Sequence, residues 1–178
     1  VNCMRPHLSM SRRTSRTPFS SRVEAAGATG YTVYNHTLLA TSFRGIEVDY
    51  WHLCENVQVW DVSCEKQVTL MGPGANQLAQ YMTPRDLSNA QVGRCYYLPM
   101  CDENGSMISD GVGIKINDRH WRLSVADSDV LLWAKGLAVG FGLDVEVREP
   151  EIFPLAVQGP KAEALMCRVF GDAIKELG

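Results

Sequence analysis

Apolar and polar residues alternate most regularly over residues 112–125. Apolar side chains occupy every second position over 112–116 and again over 121–125, and Asn117-Asp118 separates the two runs. A period of two is typical of half-buried strands, and the Asn-Asp pair favours a turn. The sequence therefore predicts a β-hairpin in this region.

Shorter segments predict further strands and helices. Apolar runs or alternation indicate strands over Gln67–Met71, Cys95–Cys101, Val145–Val147 and Phe153–Val157. Helices are predicted near Ala75–Met82, after an aspartate cap at Asp127 or Asp129, and after Gly159-Pro160. The apolar faces expected for the last two helices are Val130, Trp133, Ala134, Leu137 and Phe141, and then Leu165, Met166, Val169 and Phe170. Strands and helices alternate around a hairpin, so the predicted fold class is α+β with a mixed or antiparallel sheet and packed helices.

Composition favours a folded core over a membrane span or a disordered chain. The chain has 178 residues, of which 46% are hydrophobic and 21% charged. The longest apolar stretch, Val130–Leu143, contains Lys135 and three glycines, which indicates a buried helix. We therefore expect no membrane partner.

Charge is distributed unevenly and argues against nucleic acid as a partner. Five arginines precede the first acidic residue, Glu24, and the rest of the chain has 12 basic against 20 acidic residues, a net charge of −8. Such a surface repels a phosphate backbone. RNA binding on an exposed sheet therefore ranks last among the functions considered.

The cysteines indicate the cellular compartment, and the chain ends indicate the domain organisation. No C-x-x-C pair occurs, so we expect no metal site and a reducing, cytoplasmic location. Residues 1–10 are interpreted as a leader or a disordered basic arm, with an organelle transit peptide as the less favoured alternative. Residues 11–178 are predicted to form one domain that is incomplete at its carboxyl end.

Nine short segments occur in the order typical of one known family. No phosphate-binding loop, dinucleotide fingerprint or hydrolase elbow is present, and the four histidines are scattered. The chain nevertheless resembles the aminomethyltransferase family, named for the T-protein of glycine cleavage, in Ser11-Arg12-Arg13, Thr17-Pro18-Phe19, 31–36 (YTVYNH), 57–62 (VQVWDV), 82–87 (MTPRDL), 93–97 (GRCYY), 102–105 (DENG), 126–130 (ADSDV) and 157–161 (VQGPK).

The turn near residue 105 favours one branch of that family. T-proteins usually have a glycine pair and then an aspartate pair, whereas this chain has Gly105-Ser106 followed by Ser109-Asp110. This pattern is similar to the dimethylsulfoniopropionate demethylase branch. The resemblance implies the amino-terminal part of the aminomethyltransferase folate-binding fold, with Asp110 as the catalytic group beside the reactive folate nitrogen. It also implies that Tyr97, Asp110 and Ser124 bind the folate.

The resemblance implies methyl transfer from a sulfonium to N5 of tetrahydrofolate, yielding 5-methyltetrahydrofolate and 3-methylthiopropionate. A neutral thioether leaves without protonation, so such a reaction needs no metal. Aromatic faces attract sulfonium cations. Tyr34 is therefore predicted to bind the donor, among five aromatic candidates that also include Tyr31, Trp60, Tyr96 and Tyr97.

Two other functions remain open at this point. One is a glycine-cleavage-type aminomethyltransferase with a lipoyl carrier protein as partner. The other is a folate-binding module without turnover. The sequence also leaves open whether the chain forms a homodimer.

Overall fold

A computed structural model describes residues 13–127 and 129–177. The predicted arm at 1–10 lies outside these residues. Contacts divide the chain into two compact units, the first containing residues up to Cys64 and from Phe153 onward, and the second containing Glu65–Ile152. The prediction of one folate-binding domain over 11–178 stays a prediction.

The first unit combines two short two-stranded sheets with helices. Its helices are α1 (Ser20–Ala25), α2 (Ile46–Glu55) and α5 (Ala162–Phe170), and a 3-10 helix follows at Asp172–Glu176. Strands β1 (Gly30–Tyr34) and β2 (Thr37–Ser42) pair antiparallel, as do β3 (Gln58–Asp61) and β9 (Leu155–Gln158).

A glycine allows the chain to pass close to α2 in this unit. Gly159 has a φ of 119°, and a Cβ built there lies 2.4 Å from the backbone oxygen of Asn56. Neither the conformation nor the space suits an L side chain. The Gly-Pro pair therefore marks a close backbone approach, in addition to the start of α5.

The second unit is a five-stranded antiparallel sheet with helices against one face. Its strands follow the order β5-β6-β7-β4-β8 across the sheet. Their bounds, with those of the two helices, are β4 Gln67–Met71, α3 Ala75–Met82, β5 Cys95–Cys101, β6 Met107–Asn117, β7 His120–Val125, α4 Val130–Gly140 and β8 Glu146–Arg148. The predicted bounds of β4, α3 and β5 are confirmed, and so is the hairpin at 112–125.

Alternation along β7 builds the core of this unit. Trp121, Leu123 and Val125 are buried, whereas the residues between them are half-buried. Helix α3 contributes a stripe at spacings of three and four, which places its apolar side chains on one face. That buried stripe consists of Ala75, Leu78, Ala79 and Met82.

Parts of two predicted apolar faces are exposed. Phe141 is the carboxyl cap of α4, and its ring lies 4.4 Å from that of Tyr81 with 56% of the residue exposed. Val169 and Phe170 of α5 are also exposed, by 62% and 65%. Helical spacing identifies residues that share a face, but it does not tell whether another element covers that face.

We expect Leu78→Ala to lower the free energy of unfolding by about 2–5 kcal/mol, because it leaves a cavity in the closed core. The matched variant Leu132→Ala, in α4, changes a side chain that is 63% exposed. It should shift stability by less than about 0.5 kcal/mol. Urea denaturation followed by circular dichroism measures both effects, and equal losses would contradict the assignment of the core.

Candidate functional site

Four side chains form a row across the open face of the five-stranded sheet. Tyr97 pairs with Val112, Val112 with Ser124, and Ser124 with Gln67 on β4. Directly paired residues in an antiparallel sheet lie on the same face. Tyr97 and Val112 are 51% and 44% exposed, whereas Gln67 is 7% exposed. The row therefore offers an accessible apolar surface beside an enclosed amide.

Asp110 joins this row through a hydrogen bond. It lies two residues from Val112 on β6, hence on the same face, and Tyr97 Oη donates to its Oδ2 at 2.8 Å. The hydrogen bond to Asp110, followed by burial and the carboxylate charge, raises the pKa of Tyr97. The phenol is therefore protonated at neutral pH and occupies one carboxylate oxygen, which leaves Oδ1 as an acceptor.

Gln67 fixes the role of the Ser124 hydroxyl. Gln67 Nε2 donates to the backbone oxygen of Glu65 at 3.3 Å and to Ser124 Oγ at 2.8 Å. Because a carbonyl only accepts, the atom that bonds Glu65 must be the amide nitrogen, and Ser124 Oγ must then be the acceptor. The hydroxyl proton of Ser124 is left to donate to another group. Sequence reasoning did not identify Gln67, because the sequence does not show that β4 pairs with β7 and so places Gln67 beside Ser124.

The structure brings together three of the four predicted site residues. Tyr97, Asp110 and Ser124 share the open face of the second unit. Tyr34 belongs to the first unit, where it ends β1 opposite Thr37. Its contact with a methyl donor stays a prediction.

Tyr96 faces the other side of the sheet and has a structural role. Its hydroxyl accepts from the backbone nitrogen of Gln91 at 2.7 Å, and its ring lies 6.0 Å from that of Trp121. The guanidinium carbon of Arg85 lies 5.4 Å from its ring centroid. These contacts satisfy Tyr96 within the core, so it is not a candidate for the open face.

A cleft of about 270 Å³ lies in the first unit and was not expected from the sequence. Phe43, Arg44, His52 and Trp60 contribute to its lining. The Asp49 carboxylate accepts from the backbone nitrogens of Phe43 at 2.9 Å and Arg44 at 3.2 Å, and these bonds, chiefly that from Phe43, lower the pKa of Asp49. Asp49 therefore caps the β2–α2 connection.

Within residues 13–127 and 129–177, no group of three His, Cys, Asp or Glu side chains could hold a metal ion. None of the cysteines that the structure describes, from Cys54 to Cys167, forms a disulfide bond. None of the described helices has both the length and the apolar character needed to cross a bilayer.

Comparison with known proteins identifies the family. Residues 19–176 match the family described as GCVT N-terminal domain. The chain belongs to this family. It is 51% identical over 167 residues to the dimethylsulfoniopropionate demethylase of Ruegeria pomeroyi, and the overlap covers 94% of this chain and 46% of that protein. An aminomethyltransferase of Alcanivorax borkumensis is 32% identical over 142 residues, which cover 75% of this chain and 39% of the relative.

A solved structure confirms the predicted fold class. The glycine cleavage system aminomethyltransferase T of Bartonella henselae superimposes with a TM-score of 0.76 at 22% identity, covering 86% of this chain and 43% of that one. The fold is therefore that of the amino-terminal part of an aminomethyltransferase. The chain spans less than half the length of the curated relatives it matches.

We expect Asp110→Asn to lower the pKa of Tyr97 toward the value of an ordinary tyrosine, because the charged acceptor is lost. In the wild type the pKa is raised, so the stabilisation from this pair is present at neutral pH and is lost as the pH rises through that pKa. Carbon-13 NMR of the tyrosine Cζ, assigned with Tyr97→Phe, measures the titration. Asp102→Asn, in the β5–β6 turn, is the control. An unchanged pKa of Tyr97 in Asp110→Asn would contradict the hydrogen bond to Asp110 as the cause of the raised pKa.

Proposed function

We propose that this chain is the folate-binding part of a tetrahydrofolate-dependent demethylase that transfers a methyl group from dimethylsulfoniopropionate to N5 of tetrahydrofolate. The observation that carries the proposal is the 51% identity to the Ruegeria pomeroyi demethylase over 94% of the chain. The shared open face of Tyr97, Asp110 and Ser124 supports it, since these are the residues that the family resemblance implies. The proposed products are 5-methyltetrahydrofolate and 3-methylthiopropionate.

The hydrogen-bonding groups on the face suit a pterin ring. Asp110 Oδ1 accepts and the Ser124 hydroxyl donates. Val112 neighbours both residues, since it pairs with Ser124 and lies two residues from Asp110 on β6. A pterin carries both donor and acceptor atoms on a flat ring system that can cover an apolar side chain. This donor set therefore fits tetrahydrofolate as the methyl-accepting substrate.

The proposed reaction needs positioning and charge more than acid catalysis. The N5 lone pair forms the new bond to carbon while the carbon–sulfur electron pair returns to sulfur, and the proton on the methylated nitrogen is then released. Positive charge moves from sulfur to nitrogen during this step, and the Asp110 carboxylate stabilises it there. Holding both substrates in line supplies much of the remaining acceleration. Tyr97 orients the carboxylate through its hydrogen bond.

Two alternatives remain. The Alcanivorax borkumensis relative is named an aminomethyltransferase, which favours an aminomethyl donor on a lipoyl carrier protein. The other alternative is a folate-binding module without turnover. The cytoplasmic location and a homodimer stay predictions.

We expect the chain to bind tetrahydrofolate and Asp110→Asn to weaken that binding at least tenfold, because a hydrogen bond to a charged group contributes about 1.5–3 kcal/mol. Isothermal titration under anaerobic conditions measures the affinity. Asp118→Asn changes an aspartate with an 82% exposed side chain in the β6–β7 turn and serves as the control. Equal affinity of wild type and Asp110→Asn would remove Asp110 from the folate site.

The donor is tested in a chimera in which this chain replaces the matching segment of the Ruegeria pomeroyi demethylase. With tetrahydrofolate and dimethylsulfoniopropionate, chromatography should detect 5-methyltetrahydrofolate, and Asp110→Ala in the chimera should reduce its formation strongly while the fold is retained. Turnover only with the aminomethyl-loaded lipoyl carrier would select the first alternative. Folate binding by a folded chimera without turnover of either donor would select the second.

A further inference from the structure

An unpaired guanidinium lies on the same face as the candidate site. Arg122 precedes Ser124 by two residues on β7, so its side chain lies on the open face, opposite Ile114 on β6 and Thr69 on β4. Among the residues that the structure describes, none accepts a hydrogen bond from Arg122 Nε, which is enclosed from solvent. Arg122 forms no ion pair within the described part of the chain. The proposed function assigns it no role.

The surroundings of Arg122 do not neutralise its charge. Arg148 on β8 faces Thr69 from the other side and pairs with Glu146. His120, two residues before Arg122, has its pKa lowered by burial and then by the positive charge of Arg122. Enclosing part of a cation without a partner is costly, and a carboxylate held by two parallel hydrogen bonds offsets this cost well.

The open face therefore has charges of opposite sign at its two ends. Arg122 lies opposite Ile114, which is four residues from Asp110 on β6. Asp110 and Arg122 are therefore separated by about 13 Å along the strand direction. Val112 and Ile114 lie between these two positions and form an apolar surface there. A ligand that complements this face has a positive group toward Asp110 and a negative group toward Arg122.

We propose that Arg122 binds a carboxylate of the substrate held on this face, with the positively charged or reacting part of the substrate toward Tyr97 and Asp110. The inference rests on the proposed function and names a specificity-determining residue for it. Both proposed substrates carry carboxylates, on the propionate of the sulfonium donor and on the glutamate of the folate.

The Nε–Hε group of Arg122 supplies a direct measurement in the intact chain. Nitrogen-15 NMR follows this signal while dimethylsulfoniopropionate is added in the presence of 6-methylpterin, which has no carboxylate and is too oxidised at N5 to accept a methyl group. Trimethylsulfonium replaces the donor in a parallel titration, because it keeps the cation and lacks the carboxylate. Folic acid compared with 6-methylpterin tests the folate carboxylates in the same way.

We expect Arg122→Gln to weaken binding of the carboxylate-bearing ligand in one of these pairs about tenfold. The affinity for the matching ligand that lacks a carboxylate should not change. Arg122→Lys should recover part of the lost affinity. Arg119→Gln removes the same charge from the β6–β7 turn and is the matched control. A loss confined to dimethylsulfoniopropionate assigns the donor carboxylate, and a loss confined to folic acid assigns the folate tail.

Two results overturn the inference in distinguishable ways. In the first, the wild type binds 6-methylpterin, and Arg122→Gln binds all four ligands with the affinity of the wild type. The NMR spectrum of the variant shows that it is folded. Arg122 then has no such role, and the proposed function stands. If the wild type binds neither 6-methylpterin nor folic acid, the proposed function fails and this inference fails with it.

Discussion

The antiparallel register of β6 between β5 and β7 is the constraint on which the candidate site depends. Because paired residues share a face, this register places Tyr97, Val112 and Ser124 in one row. The same pleat turns Leu98 and Leu123 into the core. A shift of one residue would exchange the two faces, burying the polar site residues and exposing the core. Stability and site geometry thus come from a single pattern of backbone pairing.

Hydrogen bonds within the sheet determine what its open face offers to a ligand. Tyr97 donates to one oxygen of Asp110, and Gln67 donates to the hydroxyl oxygen of Ser124. The other carboxylate oxygen is left to accept, and the Ser124 hydroxyl proton is left to donate. These roles are set before a ligand arrives, so binding requires little rearrangement, which lowers its entropic cost. The Arg122 guanidinium, which forms no ion pair within residues 13–127 and 129–177, adds positive charge to the same face.

The comparisons separate what is common to the fold from what distinguishes its members. The backbone agrees with the Bartonella henselae aminomethyltransferase T at only 22% identity, whereas the Ruegeria pomeroyi demethylase is 51% identical. A shared backbone therefore accommodates different side chains. Because function depends on the side chains of a site, the fold alone does not decide it.

The sequence by itself determined the fold class and the local elements of the second unit. Two-residue alternation identified the hairpin at 112–125, and helical spacing identified α3, because each pattern reflects the period of its own backbone. Tertiary structure alone decided which faces are covered, as the exposed Phe141 and Phe170 demonstrate. It also decided that Gln67 meets Ser124 and that Arg122 Nε has no hydrogen-bond partner among the described residues, since strand order in a sheet depends on long-range packing that no local period records.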